Sequence, residues 1–339
     1  MKTMRGKLMH LAAVLVVVSF LTFLLVNLLP GGPERAILGT NATPEAVASV
    51  RADLHLDDPI PVRYVRWLGD ALSGDFGDSY TQKVPVSTLL ADRLPVSLTL
   101  MAYAQLLALA MAIPLGILAA YKAGGWFDRI ANTVAFGMLS LPNFIVAVVL
   151  VFFFAVGGMS VFGVHLGGSY FPATGYVPFA DSVTEHFRSV FLPALALALG
   201  QVAIYMRLLR TDMIATLQED FIGVARAKGM PTRRILLRHA FKPSSFSLLT
   251  VAGINIGALI GGAVIIENIF VLGGIGDLLV RSIFTRDYLV IQSTVLVIAV
   301  GFVVVNFVVD VLYAVLDPRI RVSETASASG HGAKALARG

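Results

Sequence analysis

LVIQSTVLVIAVGFVVVNFVVDVLYAVL, residues 289–316, carries one acidic residue, Asp310, and no basic one. The hydrocarbon core of a bilayer, about 30 Å thick, takes about 20 apolar residues as helix. Lipid offers no partner to a bare backbone N–H or C=O, so such a run crosses as a helix that satisfies itself. Residues 289–316 therefore read as a membrane span.

Five further runs of the same kind lie near Leu8–Leu29, Leu94–Tyr121, Ile130–Gly157, Val190–Leu209 and Phe246–Phe270. Over the 339 residues, 57% are hydrophobic, 14% are charged and the mean hydropathy is +0.80. Soluble domains carry about 25% charged residues, so no soluble core hides this much apolar surface. An all-α membrane protein with six transmembrane helices is expected. The chain has no cysteine, which excludes disulfides and thiolate metal sites. The first run follows Lys2, Arg5 and Lys7 but exceeds the roughly 7–15 apolar residues of a signal peptide. No clear Ala-x-Ala site follows, so an uncleaved first helix is expected.

Orientation follows from lysine and arginine in the connecting segments. With the N-terminus in the cytoplasm, the inside segments hold 17 of the 26 basic residues. Six of the remaining nine sit in one long loop, 30–93, where the rule is weak. Both termini are therefore expected in the cytoplasm. The net charge of +5 serves topology, not nucleic acid. The resulting organisation is a cytoplasmic N-terminus and first helix at 1–29, an external subdomain at 30–93, a core of five helices at 94–316 and a cytoplasmic tail at 317–339. The tail is rich in Ser, Ala and Gly after Val322 and is expected to be disordered.

In the external subdomain, Thr43 is placed to cap a helix that begins at Pro44 and Glu45. Pro59 and Pro61 end it. A second amphipathic piece begins at Tyr64, Trp67 and Leu68, and Gly74, Asp75, Gly77 and Asp78 make turns. Two readings stand: a cap on the outer membrane surface, or a docking platform for an external partner with Tyr64, Trp67 and Asp75 as candidate contacts.

The cytoplasmic loop 210–243 is more specific. Met213–Lys228 has helical composition, and Gly229-Met230-Pro231 stops it, because glycine permits a left-handed end and proline prevents continuation. A second helix is expected from Thr232, with threonine as its cap and Arg233, Arg234, Arg238 and Lys242 along it. This is a compact knob between two spans, fit to engage a cytosolic partner or to anchor the loop inside. Gly253, Gly257 and Gly261 recur every fourth residue and line one helix face, for close helix packing or a pathway. Glu267 and Asp310 lie near span ends, where ion pairs are expected. Pro114 and Pro142 are expected to kink their spans. No Walker A, HExxH or GxSxG motif and no His/Cys metal cluster occurs, and His165 and His186 lack ligand-like neighbours. No catalytic or metal role is expected.

At Asp220-Phe221-Ile222-Gly223-Val224-Ala225-Arg226-Ala227-Lys228-Gly229 the chain resembles the coupling segment of ABC-importer permeases, in the form used by the peptide and nickel branch. Gly223 and Val224 depart from the general Glu-Ala-Ala pattern, while Ala225 and Gly229 keep it. Leu29-Pro30-Gly31-Gly32-Pro33, Asn41 to Glu45, Tyr64 to Leu68, Gly74 to Gly77, Ser79-Tyr80, Gly261 to Val264 with Glu267, Arg286-Asp287-Tyr288 and Leu316 to Arg319 agree with that branch in order. Gly273-Gly274-Ile275-Gly276 stands where the family usually has Pro-Gly-Leu-Gly. The resemblance implies a type I ABC importer permease fold with Asp220, Ala225, Arg226, Lys228, Gly229, Pro231, Arg233, Arg234 and Arg238 facing the ATPase. It further implies a homologous second permease subunit, two ATPase subunits that carry the ATP and Mg, and an external substrate-binding protein. Peptides are the expected cargo, with nickel complexes or glutathione-like molecules as alternatives. The competing class is a self-contained secondary transporter, which would show internal repeats or polar helices at the midplane; neither is evident.

Overall fold

The computed structural model describes residues 2–28, 34, 38, 43–53, 56–161 and 164–316. The helices in chain order are α1 (Lys2–Leu28), α2 (Pro44–Asp53), α3 (Ile60–Leu72), α4 (Val86–Tyr121), α5 (Trp126–Ser140), α6 (Asn143–Phe154), α7 (Val183–Thr216), α8 (Asp220–Ala227), α9 (Thr232–Phe270), α10 (Ile275–Thr285) and α11 (Tyr288–Leu316). A small antiparallel hairpin, β1 (Met159–Val161) with β2 (Val164–Leu166), pairs Ser160 with His165. The expected tail disorder, the Leu29–Pro33 motif and the side chain of Asp310 lie outside the described residues.

Among the described residues each apolar run is helical over most of its length, the first with an apolar stretch at Leu11–Leu24. Val86–Tyr121, Val183–Thr216, Thr232–Phe270 and Tyr288–Val309 are each long and apolar enough to cross a membrane. The third run divides into α5 and α6, which make a fifth span only if taken together. Pro142 causes the division: it cannot donate to the helix, and it pushes the preceding residue out of the helical region. It stands instead at the head of α6, with ψ at 142°. Pro114, by contrast, lies within an uninterrupted α4. The fourth run proves longer than expected, because polar residues at both ends continue α7 to Val183 and Thr216.

The chain forms two compact units. The first comprises residues 1–107, 141–200 and 259–303. Its core joins Val96, Leu100, Ala147, Leu150, Val190, Leu197, Leu259, Ile266 and Phe270 from α4, α6, α7 and α9. A second cluster, Val86, Leu89, Leu90, Ile275, Leu278 and Val290, seats α10 against the start of α4. Small residues make these approaches possible: a Cβ on Gly262 would stand 3.2 Å from Leu197 Cδ2.

The second unit comprises residues 108–140, 201–258 and 304–339. Gly116 of α4 lies against α7, where a Cβ would meet Met206 O and Leu209 Cδ2 at 3.1 Å. Gly253 of α9 lies against Val309 of α11. Ile222, Ala225 and Ile235 form a small core beneath the loop that follows α7, closed by Leu217 and Met230.

Candidate functional site

The candidate coupling segment is part of the second unit. Where one helix over Met213–Lys228 was expected, α7 closes at Thr216 and α8 begins at Asp220. The turn between them is held by Leu217 N–H to Met213 O and Glu219 N–H to Thr216 O. A hydroxyl pair, Thr216 Oγ1 and the buried Ser244 Oγ at 3.0 Å, ties this end of α7 to α9.

α8 ends as the glycine rule requires. Gly229 has φ of +71°, its N–H bonds Arg226 O at 2.9 Å, and the Met230 N–H bonds Ala225 O at 3.2 Å. These are the two bonds of a Schellman cap, and Met230 adds the apolar contact that accompanies it. Thr232 is not the cap of the next helix: Pro231 takes that position with ψ at 140° and Thr232 is its first residue. Proline has no side-chain acceptor, and no side-chain hydrogen bond caps that end. Ile235–Ala240 is a π-type turn within α9.

Ala225 is buried in the knob, while Asp220, Arg226, Lys228, Gly229, Pro231, Arg233, Arg234 and Arg238 are exposed. Phe221 and Val224, 49% and 54% exposed, stand one turn apart among these charges. The knob thus offers an apolar pair ringed by charge, a geometry suited to insertion of a helix into a partner's groove.

Glu267, in the first unit, does not make the expected ion pair. It is 1% exposed, and its partners are donors of hydrogen bonds, not cations. Ser97 Oγ donates to Oε1 at 2.5 Å, and the Gly276 N–H donates to Oε2 at 2.7 Å. The carboxylate lies over the N-terminus of α10, where the helix dipole favours negative charge. Gly274 is required there, since a Cβ would overlap Glu267 Oε2 at 2.4 Å. Nearby, Asp277 is buried and takes Arg281 Nε at 2.8 Å, with Arg93 Nη1 at 3.7 Å.

The glycine row divides. Gly253 and Gly257 are buried, whereas Gly261 is exposed, with nothing within 4 Å of a Cβ. Of the candidate docking residues, Asp75 is exposed and accepts the Gly77 N–H. Tyr64 is turned inward, its hydroxyl 2.8 Å from Ser19 Oγ of α1, and Trp67 is half-buried 5.7 Å from the Phe23 ring. Neither is a free surface contact.

Residues 112–322 match the inner membrane component of binding-protein-dependent transport systems, and residues 2–101 match the N-terminal part of the membrane component of such systems. The chain belongs to this permease family. A chain of Brucella abortus assigned to a peptide transport system permease is 41% identical over 308 residues, 91% of this chain and 95% of its own. The glutathione transport system permease of Salmonella paratyphi A is 36% identical over 315 residues, 93% of this chain and 97% of its own. The MetNI methionine ABC transporter, in an inward-facing form, is similar in structure: TM-score 0.51, 14% identity, with 68% of this chain and 96% of that one covered. The permease thus has the type I ABC importer permease fold, and the secondary-transporter reading falls.

Three further clusters brace the permease. Asp128, 3% exposed, grips the Arg210 guanidinium with both oxygens, Oδ2 to Nη2 at 2.7 Å and Oδ1 to Nε. Gly124 N–H and Asn132 Nδ2 complete the shell, each at 2.8 Å. Asp287 takes Ser79 Oγ at 2.6 Å and the Thr81 hydroxyl at 2.9 Å, pinning the turn before α4. Burial, then the Asp287 carboxylate, push the adjacent Tyr80 phenol well above its ordinary value, so it stays protonated. His186 is held by polar and aromatic contacts: Nδ1 is 2.7 Å from Val177 O, Nε2 is 3.2 Å from the Tyr103 hydroxyl, and Tyr176 and Phe179 enclose it.

Proposed function

We propose that the permease forms the membrane pathway of an ATP-driven peptide importer, and that the Asp220–Arg238 knob couples that pathway to separate ATPase subunits. The observation that carries this reading is the knob itself. A Schellman-capped helix bearing an exposed apolar pair, followed by a basic helix start, is rigid enough to transmit force and chemically suited to a groove lined by carboxylates or carbonyls. ATP and Mg belong to the two ATPase subunits. A homologous second permease completes the pathway, and an external substrate-binding protein delivers cargo. The exposed face at Gly261 is left for the second permease or the pathway.

In this reading both termini and 210–243 are cytoplasmic and 30–93 is external, which the distribution of basic residues supports. Reporter fusions at Asp75 and Thr232 should report opposite sides; the same side for both would sink the arrangement.

Peptide cargo is favoured by the relatives' assignments, and glutathione, a modified tripeptide, is kept as the second cargo because a glutathione permease is 36% identical. Vesicles holding the permease with its partner permease, ATPases and binding protein should accumulate labelled peptide on addition of ATP. Accumulation of glutathione alone, uncompeted by peptides, would transfer the assignment to it.

A further inference from the structure

We infer that α3 (Ile60–Leu72) lies in lipid, embedded in the leaflet at the Leu28 end of α1, with Val62, Val65 and Leu72 turned into the bilayer. This deepens the proposed topology, in which that leaflet is the outer one, and it rests on α1 being a span.

Depth is the first argument. The Tyr64 hydroxyl lies 2.8 Å from Ser19 Oγ and donates to Val16 O at 3.3 Å. Phe20 and Phe23 set their rings edge-on to Tyr64 at 5.2 Å and 5.7 Å, and Arg63 lies over the Phe23 ring at 5.8 Å. At about 1.5 Å of rise per residue, Ser19 is about 14 Å and Phe23 about 8 Å inboard of Leu28. Half of a hydrocarbon core is about 15 Å. A helix strapped to α1 at these residues therefore sits at membrane depth, not above the headgroups. The hydroxyl pair fits such a place, where a polar group needs a protein partner.

The second argument is the far face. Val62, Val65 and Leu72 are 48%, 67% and 82% exposed, and Gly69 between them is also exposed. Positions 62, 65, 69 and 72 form one stripe at helical spacing. Arg66 leaves it sideways, paired with Asp58 at 3.0 Å. An apolar stripe beside flanking arginines and an aromatic belt residue, Trp67, is the pattern of an interfacial helix. Val17 and Leu21 of α1 are exposed and face lipid where α1 is a span, so a helix held against it at this depth meets the same solvent. A docking platform for an aqueous protein would instead leave Tyr64 and Trp67 available, and both are turned onto α1.

The chain has no native cysteine, so Val62→Cys, Val65→Cys and Leu72→Cys can each carry a nitroxide in the assembled permease in lipid nanodiscs. Gln82→Cys, on the exposed external turn, is the aqueous reference. Collisions with oxygen should exceed those with a water-soluble nickel chelate at the three stripe positions, with the order reversed at Gln82. Nickel-dominated collisions along the stripe would overturn the inference, as would labels shielded from both reagents. Immobilisation of the Val65 label by added substrate-binding protein would assign the stripe to protein docking and also overturn it. A second reading needs no label: in Trp126→Phe, Trp67 is the remaining tryptophan, and brominated-chain lipid should quench its emission. Unquenched emission would count against lipid contact. None of these measurements reads transport, so failure of the peptide assignment leaves them unaffected.

Discussion

Ser97 and Glu267, 170 residues apart in sequence, share a hydrogen bond of 2.5 Å, and the same Ser97 oxygen accepts the Ile275 N–H at 2.8 Å. Three helices, α4, α9 and α10, are joined through these two side chains. Glu267→Ala would strand the Ser97 hydroxyl and the Gly276 and Asp277 N–H groups, at about 1–3 kcal/mol for each buried group left unpaired. Glu267→Gln retains one acceptor oxygen and should lose less. Thermal unfolding in detergent should rank wild type above Gln above Ala, with substrate competition unaltered. A changed competition pattern at unchanged stability would make Glu267 a selector instead.

Gly276 and Gly261 make a paired test of close packing. A Cβ on Gly276 would stand 2.5 Å from Val264 Cα, a backbone atom that cannot turn aside, whereas Gly261 has open space. Overpacking typically costs about 1–3 kcal/mol, while alanine in place of an unpacked helical glycine gains up to about 1 kcal/mol. Gly276→Ala should lower the melting temperature of the isolated chain and Gly261→Ala should not. Should Gly261→Ala reduce assembled complex at unchanged chain stability, a partner subunit covers that face.

Asp128 and Arg210 form a two-pronged pair, 5% and 23% exposed. Breaking such a pair from one side leaves a buried charge uncompensated, at about 3–5 kcal/mol, reduced here by the water that reaches Arg210. Arg210→Met alone should therefore destabilise more than Arg210→Met combined with Asp128→Leu, which removes both charges. A double-mutant cycle by thermal unfolding checks this; simple additivity would show that the pair is not coupled.

Long apolar runs were legible because lipid imposes length and polarity on a helix residue by residue. Gly229 was legible because glycine followed by proline permits one local geometry. The division at Pro142 was half legible: proline marks a disturbance, but whether it kinks or ends a helix depends on the packing around it, and Pro114 ends nothing. Ser97 and Asp128 were not legible at all, and Asp287 was legible only within the Arg286-Asp287-Tyr288 resemblance, without its partners. Each works through a partner dozens to hundreds of residues away, and a serine or aspartate in isolation carries no sign of the distant donor or cation it meets. Tyr64 and Trp67 were legible as part of an amphipathic piece, but only the position of Ser19 and Phe23 shows which way they turn.

The last prediction concerns Gly229. Its φ of +71° lies in the left-handed region, yet a Cβ there would meet nothing within 4 Å. A side chain at this position therefore fits by volume and fails by backbone, at about 1–2 kcal/mol for an L-residue, with more for a β-branched one. The small core of Ile222, Ala225 and Ile235 remains, so the knob should be re-aimed, not unfolded. Gly229→Val should insert and purify in normal amount, while transport falls and the ATPase ceases to respond to loaded binding protein. Gly229→Asn, which tolerates the left-handed region better, should retain more of both. Separately, removing the charges of Arg233, Arg234 and Arg238 should weaken ATPase binding, and the difference should shrink as salt is raised. A Gly229→Val complex that transports like wild type would show that force passes elsewhere.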